Sequence, residues 1–219
     1  MTILVMIWRR VIENSRDSSQ VSAGARVILA HGAGAGMDSE FMQTVAADLK
    51  QQGFDCILFN FPYMEKRAQD GKRRPPDRAP KLLEHFRAVI KEVGADKPLI
   101  IGGKSMGGRI ASIIAAESSF PLSGLLLLGY PFHPPGKPEK LAERTKHLKH
   151  INIPTLLVQG ERDTFGGRAL LETLSLPESF ETRWMPDGDH SFKPRKKSGH
   201  TLEGNMAAML EAIADKRWG

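Results

Sequence analysis

Several things are scarce in this sequence, and each scarcity removes a class of protein. Its 219 residues hold a single cysteine, Cys56. No internal disulfide can form, which fits a reducing compartment. Cys56 sits in an apolar stretch and reads as a core residue. Long hydrophobic runs are missing. The apolar residues 3–8 are too few to span a membrane. They are also too few for a signal-peptide core, and Arg9 and Arg10 follow them rather than precede them. A first strand is the better reading, and the cytoplasm is the expected compartment. Aromatic residues make up only 7% of the chain, and none interleaves the basic runs at 72–74, 137–149 and 193–197. The net charge of +6 therefore reads as solvated loops and helix faces rather than a nucleic-acid groove. No metal-ligand spacing stands out, so no metal or cofactor is expected.

Two phosphate-binding patterns also fail. Gly103-Lys104-Ser105 ends like a phosphate loop, but Pro98 stands where its first glycine belongs, and the residues between read as strand. Gly32 and Gly34 begin a dinucleotide fingerprint, but Met37 replaces its third glycine.

What remains is a chain of alternating short apolar strands and amphipathic helices, ordinary in composition and long enough for one domain over residues 1–219. Strands are expected at 26–30, 56–59, 99–101, 124–129, 155–159 and 182–185. Helices are expected at about 39–52, with Phe41, Val45 and Leu49 inward, at 81–93, at 110–117, at 138–150 and at 202–216. Residues 65–80 read as a long basic loop. This alternation implies a mostly parallel sheet covered on both faces.

The stretch that organises the chain runs from Ile100 to Arg109. Ser105 stands between a buried strand and a helix, with Gly103 and Gly107 two positions to either side. This G-x-S-x-G pattern marks a nucleophile elbow, where a strained turn lifts a serine hydroxyl above a sheet edge. Side chains at the flanking positions would collide with neighbouring backbone, hence the glycines. The turn aims the Met106 amide and the helix N-terminus at a developing oxyanion. A second donor is expected from the small-residue loop directly after the strand at 26–30, His31-Gly32-Ala33-Gly34-Ala35-Gly36, which resembles the oxyanion loop of lipases and esterases. Ala33 is the donor expected there, with Gly34 as the alternative. His31 reads as a loop brace.

Ser105, Asp163 and His190 follow in the order Ser, Asp, His, each beyond the carboxyl end of an expected strand. At one edge of a parallel sheet they can converge, with His190 as base, Asp163 orienting it and Ser105 as nucleophile. Asp187 and Asp189 flank His190 too closely in sequence to aim at its ring, and Asp189 reads as a turn former. Tyr63, Met64 and His133, on loops after strands, are candidate pocket residues.

In these residues the sequence resembles the α/β-hydrolase superfamily. It is most similar to a small dienelactone-hydrolase-like branch, whose domain also occurs in a testis-expressed protein family and in a chromatin acetyltransferase-complex subunit. The resemblance rests on 31–36, 61–64, 73–77, 103–109, 130–138, 159–163 and His190-Ser191-Phe192. It implies an α/β-hydrolase fold and a serine hydrolase acting on an ester, thioester or related acyl bond of a small molecule. Dienelactone hydrolase carries Cys as nucleophile where this chain has Ser105, so lactone hydrolysis is not the default. Lidded relatives insert many residues after the strand at 124–129; here a loop and one helix intervene, so a minimal lid or none is expected. The alternative implied by the branch is a non-catalytic interaction domain, and a further one is a binder of acidic partners through the basic loops.

Overall fold

The computed structural model describes residues 24–94 and 96–219. The strand expected at 3–8 lies outside the described residues. Six strands form one sheet: β1 (Arg26–Ala30), β2 (Asp55–Phe59), β3 (Leu99–Lys104), β4 (Gly124–Leu128), β5 (Thr155–Gly160) and β6 (Phe180–Met185). Every pairing is parallel, in the order β2-β1-β3-β4-β5-β6. The helices are α1 (Glu40–Gln51), α2 (Pro62–Asp70), α3 (Ala79–Val93), α4 (Met106–Ala116), α5 (Leu141–Thr145), α6 (Arg168–Leu171) and α7 (Leu202–Asp215).

The two-residue alternation of each strand splits the core into two layers. Ile28, Ile101, Leu125, Leu127 and Leu157 pack with Phe86 and Ile90 of α3 and Ile110 and Ile114 of α4. Val27, Leu29, Ile100, Leu126, Leu128, Leu156 and Val158 pack with Val45 and Leu49 of α1 and Met209 and Ile213 of α7. Strands buried on both faces explain the unbroken apolar runs of β3, β4 and β5. Cys56 is buried in the second layer. Because all strands run one way, their carboxyl ends share one edge, where such sheets place their ligands.

Three expected elements differ. The basic segment 65–80 is not all loop, because α2 occupies Pro62–Asp70. Pro62 starts this helix, where its missing N–H costs nothing, and Gly71 ends it in a left-handed conformation. Only Tyr63 and Met64 are buried on it, too few to show a helical period in the sequence. The helix expected at 138–150 breaks into two 3-10 turns around the short α5, and Leu148 and Ile151 anchor this segment to the core. On α1 the buried face is Met42, Val45, Ala46 and Leu49, wider than expected, and Phe41 packs partly buried against the same layer, its ring centre 5.9 Å from that of Phe192. Between β4 and β5 only these short pieces intervene, and among the described residues no inserted lid domain follows β4.

Candidate active site

Ser105 joins β3 to α4 with φ 51° and ψ −114°, a conformation that costs a non-glycine residue strain. The surroundings enforce it. A Cβ on Gly103 or on Gly107 would stand 2.3 Å from the Ala30 carbonyl oxygen. β3 and α4, on either side of the turn, thus both meet the end of β1 backbone to backbone. The Ser105 side chain does not cap α4, so the first amides of that helix keep no intrahelical partner.

Ser105 Oγ lies 2.8 Å from His190 Nε2, and His190 Nδ1 lies 2.8 Å from Asp163 Oδ2. The Asp163 side chain is fully buried. A buried carboxylate needs donors on its oxygens. Here Oδ2 accepts from His190 Nδ1–H and from Gln159 Nε2 at 2.9 Å, and Oδ1 accepts from the Phe165 N–H at 2.8 Å. Donation from Nδ1 leaves Nε2 as the imidazole's acceptor, facing the serine hydroxyl. Phe165 stacks on the imidazole, with ring centres 4.2 Å apart and an angle of 28°. Gln159 is itself buried and also bridges Tyr130 and Gly166, its Oε1 accepting from the Tyr130 N–H at 2.8 Å.

The two aspartates beside His190 are engaged elsewhere. Arg195 and Arg162 pair with Asp187, and the Arg195 guanidinium holds its carboxyl well below the usual carboxylate range. Asp189 Oδ1 accepts from the N–H groups of Ser191 and Lys193, closing the turn.

His31 is buried beneath the glycine-rich loop. Its Nδ1–H donates to the Gly32 carbonyl at 2.6 Å and its Nε2 accepts from the Phe61 N–H at 3.0 Å. Burial lowers its pKa, which suits a neutral ring bonded at both nitrogens. The Gly32 carbonyl and the Ala33 N–H belong to one trans peptide and point in opposite directions. Anchoring the carbonyl on His31 therefore turns the Ala33 N–H outward. The Tyr63 hydroxyl donates to the Ala33 carbonyl at 3.0 Å, fixing the next peptide too.

A cleft of about 390 Å³ opens over the serine, with Ala33, Ala35, Phe41, Met42 and Phe165 as its apolar wall beside Ser105 and His190. Of the expected pocket residues, none lines it. Tyr63 is buried under the glycine-rich loop, Met64 borders an adjoining cleft, and His133 donates to the Pro134 carbonyl while its N–H holds the Phe165 carbonyl. Tyr63 lies away from the cleft because its helix turns it inward.

Lys104 was absent from the expected site. Its Nζ donates to the His190 carbonyl at 2.5 Å and lies 5.3 Å from the Phe192 ring centre. Burial pulls its pKa down to about 8 against the opposing pull of Asp163 and Asp189. Its place beside the serine was the available signal. Gln159 also carried one, as a polar residue at the end of an apolar strand. Among the described residues no group of His, Cys, Asp or Glu is placed to hold a metal ion, and no helix is long and apolar enough to cross a membrane.

Residues 23–217 match the model of an alpha/beta hydrolase domain family. Among solved structures, a dienelactone hydrolase from Anabaena variabilis is similar, with 21% identity, a TM-score of 0.66 and coverage of 89% of this chain and 85% of that one. Est1E from Butyrivibrio proteoclasticus, with ferulic acid bound, has 16% identity, a TM-score of 0.64 and coverage of 90% and 91%. An α/β serine hydrolase without a lid from Xanthomonas campestris has 20% identity, a TM-score of 0.61 and coverage of 89% and 83%.

Proposed function

The chain belongs to the alpha/beta hydrolase domain family, and from that premise we propose that it is a serine hydrolase cleaving a carboxylic ester, thioester or related acyl bond of a small molecule. One observation carries the reading: a hydrogen-bonded line runs from Ser105 Oγ through His190 to the buried Asp163, at 2.8 Å in each step, with the serine held on a strained turn.

In this reading His190 Nε2 takes the Ser105 proton as Oγ bonds to the substrate carbonyl carbon. The carbonyl oxygen gains the electron pair and is met by the N–H groups of Met106 and Ala33. The pair then returns, the bond to the leaving group breaks, and that group departs with the proton from His190. Water repeats the sequence on the acyl-serine, giving its proton to His190, and releases the acid and free Ser105. Asp163 keeps the imidazole in the tautomer that accepts at Nε2 and stabilises its charged form. With no lid among the described residues, the cleft suits short acyl groups or bulky substrates better than long lipid chains.

Fluorophosphonate labelling tests this. The native chain should label, Ser105→Ala should not, and His190→Ala should label on the order of 100-fold more slowly or worse. Folded native protein that stays unlabelled would sink the proposal in favour of an interaction domain. Undiminished labelling of His190→Ala would remove His190 as the base.

A further inference from the structure

The glycine-rich loop has two sides. A second cleft, of about 330 Å³, adjoins the one over Ser105 and shares Gly34, Ala35 and Ser39 with it. That volume is within the range of small-molecule sites. Asn60, just past β2, lines it and is only 8% exposed. Asn60 Oδ1 accepts from the Met37 N–H at 2.8 Å, and an amide N–H needs an acceptor, so the orientation of the side-chain amide is fixed. Its Nδ2 then carries two donors with no partner among the described residues. It is not among the sealed, partnerless polar atoms, which are Asp77 Oδ2 and Arg109 Nε. Nδ2 is thus not sealed in the interior, and Asn60 is one of the residues that line the cleft.

The rest of the cleft is built to match. A Cβ on Gly36 would stand 2.8 Å from Asn60 Oδ1, 2.8 Å from Asp38 Oδ1 and 2.9 Å from Met64 Cγ, so only glycine lets these three side chains close around the loop. Ser39 holds the position before α1, yet its hydroxyl caps nothing. Arg67 Nη1 donates to the Gly34 carbonyl at 3.0 Å. One guanidinium and one carboxylate leave the lining without net charge, while donors and acceptors stand together. Such a lining matches a neutral hydroxyl, which accepts from Asn60 and donates to Asp38.

We propose that this cleft is a subsite for a hydroxyl-bearing acyl group, which makes the preferred substrate an ester of a hydroxy acid. The proposal rests on the serine-hydrolase reading above. The acyl side follows from the chemistry. The leaving group must stay beside His190 Nε2 to receive its proton, and His190 lines the first cleft but not the second.

The test compares 4-nitrophenyl butanoate and hexanoate with their 3-hydroxy and 5-hydroxy counterparts, read as ratios of kcat/KM. The native chain should favour a hydroxylated ester by about 3- to 10-fold, the worth of one neutral hydrogen bond. Asn60→Asp keeps the oxygen that Met37 needs and removes the donors, and its ratio should fall to about one. Asp38→Ala, on the exposed rim, removes the acceptor and should lower the ratio too, and it serves if Asn60→Asp does not fold. Native protein that labels with fluorophosphonate yet shows no preference would overturn the subsite alone. So would a preference confined to hydroxyls on the alcohol, compared as glyceryl and propyl butanoates. Absence of labelling would remove both readings.

Discussion

Replacing Lys104 with Met should change the pH dependence of stability in a way no neighbouring group can imitate. The ammonium lies between the Phe192 and Phe41 rings, 5.3 and 5.8 Å from their centres, and donates to the His190 carbonyl. Burial lowers its pKa to about 8, whereas the unfolded chain titrates it near 10.4. Below pH 8 both states carry the charge, and the native state bears the full cost of burying it. Between the two values the unfolded chain holds one more proton, so stability rises with pH, by about 1.4 kcal/mol per unit and about 3 kcal/mol in all. Burial acts in the opposite sense on Cys56, pushed up to about 11, and on Tyr63 and Tyr130, each pushed up to about 12. There the native state keeps a proton that the unfolded chain loses, and stability falls as pH rises. The native curve mixes both trends; the difference between native and Lys104→Met isolates the lysine. At pH 7 Met removes the buried charge but also one charge-assisted hydrogen bond, worth about 1.5–3 kcal/mol, so the two proteins should be close. By pH 10.5 the variant should have lost about 3 kcal/mol relative to native. Urea unfolding at half-unit pH steps measures this directly. A difference that stays constant to within about 0.5 kcal/mol would refute the buried cation.

Two further outcomes follow from the same structure. His147 Nε2 donates to Ser112 Oγ at 2.8 Å, and burial, aided by Arg109, lowers its pKa to about 4. The native state therefore keeps it neutral while the unfolded chain takes a proton below about 6.5. Stability should fall as pH drops from 6.5 toward 4, and thermal midpoints of His147→Gln should fall less steeply over that window; parallel curves would contradict this. Gly107→Ala sets propensity against sterics. In a helix, alanine should gain about 1 kcal/mol over glycine, yet the new Cβ would lie 2.3 Å from the Ala30 carbonyl. A loss of about 2 kcal/mol or more in urea unfolding is expected, and any gain would show that β1 and α4 are not in contact.

What the sequence made legible was order along the chain, and in a parallel sheet order is already geometry. Strands buried on both faces announce themselves as apolar runs, and their carboxyl ends share one edge. Ser105, Asp163 and His190, each beyond such an end, needed no further information to be brought near one another. The illegible residues are those whose role depends on what lies across a gap rather than along a strand. Nothing in the local sequence of Gln159 says that the turn back through Gly166 delivers Asp163 to its amide. Nor does the sequence around Lys104 say that its ammonium reaches a carbonyl 86 residues on. The helix α2 shows the same limit: with two buried side chains it has almost no period, and its start at Pro62 looks like a break. Yet that helix carries Tyr63 to the Ala33 carbonyl and Met64 and Arg67 to the second cleft. In the proposed reading the strand ends set which atoms can react. The connecting segments, read least well, set the walls of both clefts, and so substrate choice should respond to changes there that leave the reacting line intact.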